Sequence, residues 1–203
     1  MKLIGALVNN LYLMNTRLTR IYTLVPLALL AAYFATGNTM FAGFFMLMAI
    51  LVVPTTSLEN AGVPFATRWS SFENTWALSP HLMVVSRYIL YIILSAIGVG
   101  IWLAVPISYY DESGFFTLAN LIFMAQIMCI AYYPVMYFFN PRKESFSIAM
   151  VFASMGIAVG LTAFMNYLAA GNYTLMALIV ACMYVVSIAL SVAFNKVHLG
   201  RVA

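Results

Sequence analysis

Charge is scarce in this chain: Asp, Glu, Lys and Arg together make up 7% of 203 residues, against 65% hydrophobic. With a mean hydropathy of +1.01, that scarcity excludes an ordinary soluble globule and makes a bilayer the solvent. Cysteine is also scarce. Cys129 and Cys182 both fall in the middle of apolar runs, where they read as two small apolar residues, and a disulfide between them would need close helix neighbours. The two histidines, His81 and His198, have no Cys or acidic residue at ligand spacing, so no metal centre is expected. No G-x-x-x-x-G-K-[ST] occurs, so a nucleotide phosphate cannot be held here by a P-loop, and any ATP-driven work needs another subunit. No G-x-S-x-G occurs, and neither histidine lies inside a span, which argues against intramembrane Ser-His chemistry and leaves no catalytic residue to name. No acid or base falls at mid-span either. That speaks against a carrier driven through a buried charge by protons or sodium.

What is present is a series of apolar runs. Crossing the hydrocarbon takes about 20 mostly apolar residues, and six runs qualify or nearly so: Ile21–Thr36, Thr39–Leu58, Tyr88–Ile107, Phe115–Phe139, Phe146–Leu168 and Tyr173–Asn195. The first is short and is expected to begin within a preceding helix. Before it, Leu3, Leu7, Leu11, Met14, Leu18 and Ile21 step along one helical face, predicting an interfacial helix over residues 1–20. That stretch has no small-residue cleavage site, so a removed signal peptide is not expected. With no short repeat and no low-complexity linker, residues 1–203 read as a single all-α integral membrane domain.

The basic residues fix the orientation, because Lys and Arg of short loops stay in the cytoplasm. Lys2, Arg17 and Arg20 precede the first run, Arg68 and Arg87 flank the second connection, Arg142 and Lys143 lie in the fourth, and Lys196 and Arg201 follow the last. The opposite side has Asp111 and Glu112. Six spans with both termini in the cytoplasm satisfy all of these placements. The net charge of +4 is thus a topology signal and not a sign of nucleic-acid binding.

Within the spans, Asn120, Gln126, Thr162 and Asn166 are polar. Such groups either bond across helices as packing glue or line a translocation pathway, for which Asn120, Gln126 and Asn166 are the candidates. Gly156-x-x-x-Gly160, preceded by Ala149 and Ala153, gives the fifth run a small-residue face, suited to close helix packing or a dimer seam. Pro26, Pro54, Pro106 and Pro134 predict kinks. The 14 Met, 15 Phe and 13 Tyr suit a greasy substrate cavity, or equally a lipid-facing surface with interfacial aromatic belts.

The one long polar interruption is Trp69–Tyr88. Trp69, Phe72 and Trp76 recur at i, i+3 and i+7, forming an aromatic stripe on a short helix, with Arg68, Glu73 and His81 as a polar rim. Ser79-Pro80 then has the chemistry of a helix start: the serine hydroxyl can accept from first-turn amides, and proline there loses no hydrogen bond. The stripe could anchor in headgroups. A groove in a soluble partner would hold it equally, and the polar rim favours the partner.

This segment resembles that of the small six-span permease subunits of ABC-2 type exporters, whose loop between spans two and three commonly reads W-x-x-[YF]-x-x-[ST]-L-P-[VI]-S-R-x-x-[IV]-V-x-[SA]-[KR]-Y. Trp69, Phe72, Thr75, Ser79, Val84, Ser86, Arg87 and Tyr88 match; Trp76-Ala77 stands where the family has Leu-Pro, and Pro80 where it has Arg. The resemblance implies a cytoplasmic coupling helix within residues 67–80, with Trp69, Phe72, Glu73, Trp76, Ser79, Pro80 and Arg87 facing an ATPase. It further implies a multi-pass protein of the bacterial cytoplasmic membrane, partnered by ABC ATPase subunits that bind ATP and Mg. A second permease copy or paralogue completes it, for export of amphipathic peptides or other hydrophobic substrates. The chief alternative is the substrate-binding membrane subunit of an energy-coupling-factor vitamin uptake transporter. Ala28-x-x-x-Ala32 resembles the contact motif of that group, but the outer loops offer little polar surface beyond Tyr109, Tyr110, Asp111 and Glu112. A non-transporting membrane scaffold or immunity protein is the third reading.

Overall fold

A computed structural model describes residues 5, 7, 17–55, 57–58, 80–104, 117–139, 144–169 and 172–199. Among them there is no strand. The elements are α1 (Arg17–Thr36), α2 (Thr39–Leu47) running into a π-helical turn (Met48–Val52), α3 (Pro80–Ala104), α4 (Leu118–Phe139), α5 (Glu144–Ala169) and α6 (Tyr173–Leu199). Each of the six apolar runs therefore holds a helix. Four stretches, His81–Ala104, Leu118–Phe139, Ala149–Ala169 and Tyr173–Val197, are long and apolar enough to cross a membrane. The first two runs contribute shorter apolar helices, Leu24–Thr36 and Thr39–Thr55.

Local chemistry explains the joins. Gly37, at φ +66°, lies in the left-handed region that glycine enters without a Cβ penalty, and its N–H still reaches the Tyr33 carbonyl at 2.8 Å. Asn38 then accepts from the Met40 N–H at 2.9 Å and caps α2. Two residues thus turn the chain from one helix into the next. Pro80 is the first residue of α3, as its missing N–H favours. The helix therefore starts eight residues ahead of the apolar run marked from Tyr88.

The π-helical turn has no counterpart in the sequence reading, which expected only a kink from Pro54. In the turn the Val53 N–H bonds the Met48 carbonyl. One residue on, the donor in this register would be Pro54, which has no N–H, so the Ala49 carbonyl receives nothing from it. Gly98 of α3 lies against that carbonyl. A Cβ on Gly98 would overlap the Ala49 oxygen, with the Ala49 carbonyl carbon at 3.1 Å and the Ile50 Cα at 3.6 Å. Absence of a side chain at Gly98 is what lets α3 and the turn approach to backbone contact.

The central helix is α4, which packs against α5, α6, α3 and the π-helical turn. Its Leu121, Met124, Ile127, Met128 and Tyr133 are almost wholly buried. The outer helices instead expose large apolar side chains, among them Phe152 at 70%, Leu178 at 61% and Val185 at 70%. In water, apolar surface on that scale would demand a partner; in lipid it is the expected outer face.

Candidate functional site

On α3, Val84, Arg87, Tyr88, Tyr91, Ser95 and Gly98 recur at helical spacing and are all buried, while Ile92, Ile93, Ile97 and Ile101 are exposed to the outside. Apart from Val84, the inward stripe of this apolar helix is therefore polar, aromatic or small. Opposite it stand Gln126, Tyr133 and Tyr137 of α4 and Tyr184, Ser187 and Ser191 of α6.

The hydroxyls form a connected set. Tyr88 Oη lies 2.6 Å from Ser187 Oγ and 2.8 Å from Ser191 Oγ, and Ser187 Oγ donates to the Ile130 carbonyl at 2.8 Å. One hydrogen per hydroxyl fixes the direction. Ser187 has spent its hydrogen on Ile130, so Tyr88 donates to Ser187 and Ser191 donates to Tyr88. The chain Ser191 to Tyr88 to Ser187 to the Ile130 carbonyl ties all three helices together. Beside it, Arg87 Nη1 donates to Tyr137 Oη at 2.9 Å, the guanidinium carbon lies 5.6 Å from the Tyr137 ring centroid, and Tyr133 Oη donates to the Arg87 carbonyl at 3.3 Å. The Tyr88 and Tyr133 rings meet at 4.6 Å between centroids.

Deeper along α3, Tyr91 Oη donates to the Ala125 carbonyl at 2.5 Å. Gln126 donates to Ser95 Oγ at 2.8 Å and accepts from Tyr184 Oη at 2.6 Å. Interhelical bonds of this kind contribute roughly 0.6–2 kcal/mol each in a membrane interior. Their greater effect is on register, since a slid helix would leave several polar groups in a dry core with nothing to bond.

Set against the sequence-based candidates, the structure gathers few. Trp69, Phe72, Glu73, Trp76 and Ser79 lie outside the described residues, as does most of the interfacial stretch 1–20. Arg87, grouped there with the partner-facing residues, is 5% exposed and turned into the bundle. The reason is local: Tyr137 supplies a phenol that the guanidinium reaches, while Tyr133 bonds the Arg87 main-chain carbonyl. Gln126 is engaged with Ser95 and Tyr184. Asn120 is buried at the start of α4 and Asn166 is half-buried on α5. Gly156 and Gly160 are exposed, and a Cβ on either would meet nothing within 4 Å. The small-residue face of α5 is thus not packed on another of the described helices.

Sequence reasoning missed the tyrosines. Tyr88, Tyr91, Tyr132, Tyr133 and Tyr137 are core residues rather than interfacial belts. A signal was available: Tyr133 and Tyr137 at i, i+4, and Tyr184, Ser187 and Ser191 at i, i+3, i+7, put hydroxyls on single faces of apolar helices. An apolar groove of about 490 Å³ between α4 and α6, bordered by Ile130, Pro134, Leu178, Cys182, Val186 and Leu190, opens to the outside of the bundle. Among the described residues no group of three His, Cys, Asp or Glu could hold a metal ion.

The helices and their polar interior define a multi-pass α-helical membrane protein. Comparison with family models takes the assignment further: residues 6–195 match the ABC-2 family transporter proteins. Because that match spans nearly the whole chain, the protein belongs to this family and is a membrane permease component of an ABC transporter. Neither the curated proteins nor the solved structures gave a match to the chain. The family assignment lends no support to the vitamin-uptake alternative.

Proposed function

We propose that this chain is half of a twelve-helix exporter, working with a second copy or paralogue and two cytoplasmic ATPase subunits that bind ATP and Mg. ATP-driven closure of the ATPases would push the segment 67–80, and alternating access would carry amphipathic peptides or other hydrophobic substrates out of the cytoplasm. In this reading all six helices span, both termini are cytoplasmic, and the membrane is that of a bacterial cell. The observation that carries the proposal is the family match over residues 6–195. It is supported by the start of α3 at Pro80, directly after the aromatic stripe, so that a push on the stripe has a rigid rod to act on.

The test is Trp76→Ala. A buried aromatic anchor accounts for about 2 kcal/mol or more of an interface, so ATPase association should weaken roughly thirtyfold. Phe72→Ala should act in the same direction, and Glu73→Gln should change coupling more than assembly. Pull-down of the ATPase and ATP hydrolysis in reconstituted complex are measured for each variant. Normal association and hydrolysis in the Trp76 and Phe72 variants would reduce the stripe to a headgroup anchor.

A further inference from the structure

We propose that Arg87 and Tyr88 form a positioning clamp through which movement of α3 is carried to α4 and α6, an inference that rests on the exporter reading above. Consecutive helical residues point about 100° apart, and here that divergence sends one side chain to each neighbour. Arg87 reaches Tyr137 of α4, and Tyr88 reaches Ser187 and Ser191 of α6. The pair lies about 10 Å along α3 from Pro80, on the side nearest the segment expected to receive the push. Both residues are buried, at 5% and 1% exposure.

Packing alone does not ask for this chemistry. A guanidinium inside a membrane bundle is costly, and ionisable residues so placed mark working parts of membrane proteins. An apolar residue of similar volume would commonly pack with less desolvation. What an arginine and a tyrosine add is direction. Each bond has a defined partner atom, so α3 cannot rotate or slide without drawing α4 and α6 along or breaking specific hydrogen bonds. The one-way hydroxyl chain strengthens this, because Tyr88 serves Ser187 and Ser191 together and gives up both if it swings away.

A native reporter sits in the cluster. Cys129 is fully buried among Tyr88, Tyr91, Tyr133 and Tyr184, whereas Cys182 is exposed. In a Cys182→Ser background, labelling of Cys129 by N-ethylmaleimide therefore reads how far these helices part and admit water. The experiment uses the full chain in lipid nanodiscs with the ATPase that co-purifies with it, comparing no nucleotide with ATP, Mg and vanadate. The wild-type background should show a nucleotide-dependent change in labelling rate. Tyr137→Phe should cut that change by about fivefold, the equivalent of one interhelical hydrogen bond, and the Ser187→Ala, Ser191→Ala pair, which loses three such bonds, by at least as much, while each variant binds the ATPase as before. Tyr167→Phe, on a side chain 83% exposed, should change nothing. If Tyr137→Phe fails to insert, the serine pair decides alone. No nucleotide-dependent change in the background protein, or an undiminished change in the variants, overturns the clamp while leaving the exporter reading standing. Failure of any ATPase to bind the wild type removes the exporter reading, and the clamp falls with it.

Discussion

Gly98→Ala isolates the contact between α3 and the π-helical turn. The added methyl carbon would overlap the Ala49 carbonyl oxygen, and the other near atoms, the Ala49 carbonyl carbon at 3.1 Å and the Ile50 Cα at 3.6 Å, are also backbone. No side chain can rotate out of the way. The two segments must part by about an ångström, and a gap of that size forfeits a quarter to a half of each dispersion contact along the seam. Overpacking of this kind costs about 1–3 kcal/mol, and the immovable neighbours favour the upper half of that range. Gly100→Ala, two residues along the same helix, is the control, because a Cβ there meets nothing within 4 Å. Both changes gain the same helix preference of alanine over glycine, about 1 kcal/mol in soluble helices, so the difference between them measures packing alone. Unfolding of each purified variant in detergent, followed by tryptophan fluorescence and size exclusion, should place Gly98→Ala below Gly100→Ala by about 1–3 kcal/mol. Equal midpoints would mean that the helices do not meet at Gly98, and the account of the turn would be wrong.

Two further outcomes concern the small-residue face of α5 and the segregation of charge along the sequence. Gly156→Leu with Gly160→Leu should not lower the monomer's unfolding midpoint, since a Cβ at either position meets nothing within 4 Å and leucine has the higher helix preference; if the face is the seam with a second copy, the same variant should run as a monomer where wild type runs as a dimer. Cysteines placed at Ser113 and Ser145 should react with an impermeant maleimide from opposite sides of sealed cells, and reaction from one side alone would remove the six-span topology.

How much the sequence disclosed varied with the kind of physics involved. Helix positions were legible because they rest on apolar runs and on local stop and start chemistry: the break between Thr36 and Thr39, and the proline that opens α3, are visible in a few consecutive residues. Only the apolar run, marked from Tyr88, fell short of the helix, whose start Pro80 had signalled. A charge at Arg87 lowers the local hydropathy, yet the helix runs through it once Tyr133 and Tyr137 are near. The tyrosine cluster was not legible as a cluster, since which hydroxyl faces which depends on helices adjacent only in space. The π-helical turn needed the coincidence of Pro54 with a glycine more than forty positions on, and neither alone announces it. The aromatic stripe at Trp69, Phe72 and Trp76 remains a reading of spacing and family resemblance.

The turn at Gly37 and Asn38 has a mechanical meaning. From Thr36 to Thr39 there are three Cα steps of about 3.8 Å, so the adjoining ends of α1 and α2 can never be more than about 11 Å apart. Neither helix can piston past the other at that end. The freedom left to the pair is to swing open like scissors about the joint, and the swing is geared by length. For α1, a rod of 20 residues and hence about 30 Å, a 10° opening at the pivot moves the far tip by about 5 Å. A tilt too small to disturb the joint becomes, at the other end of the lever, a displacement as wide as a helix radius.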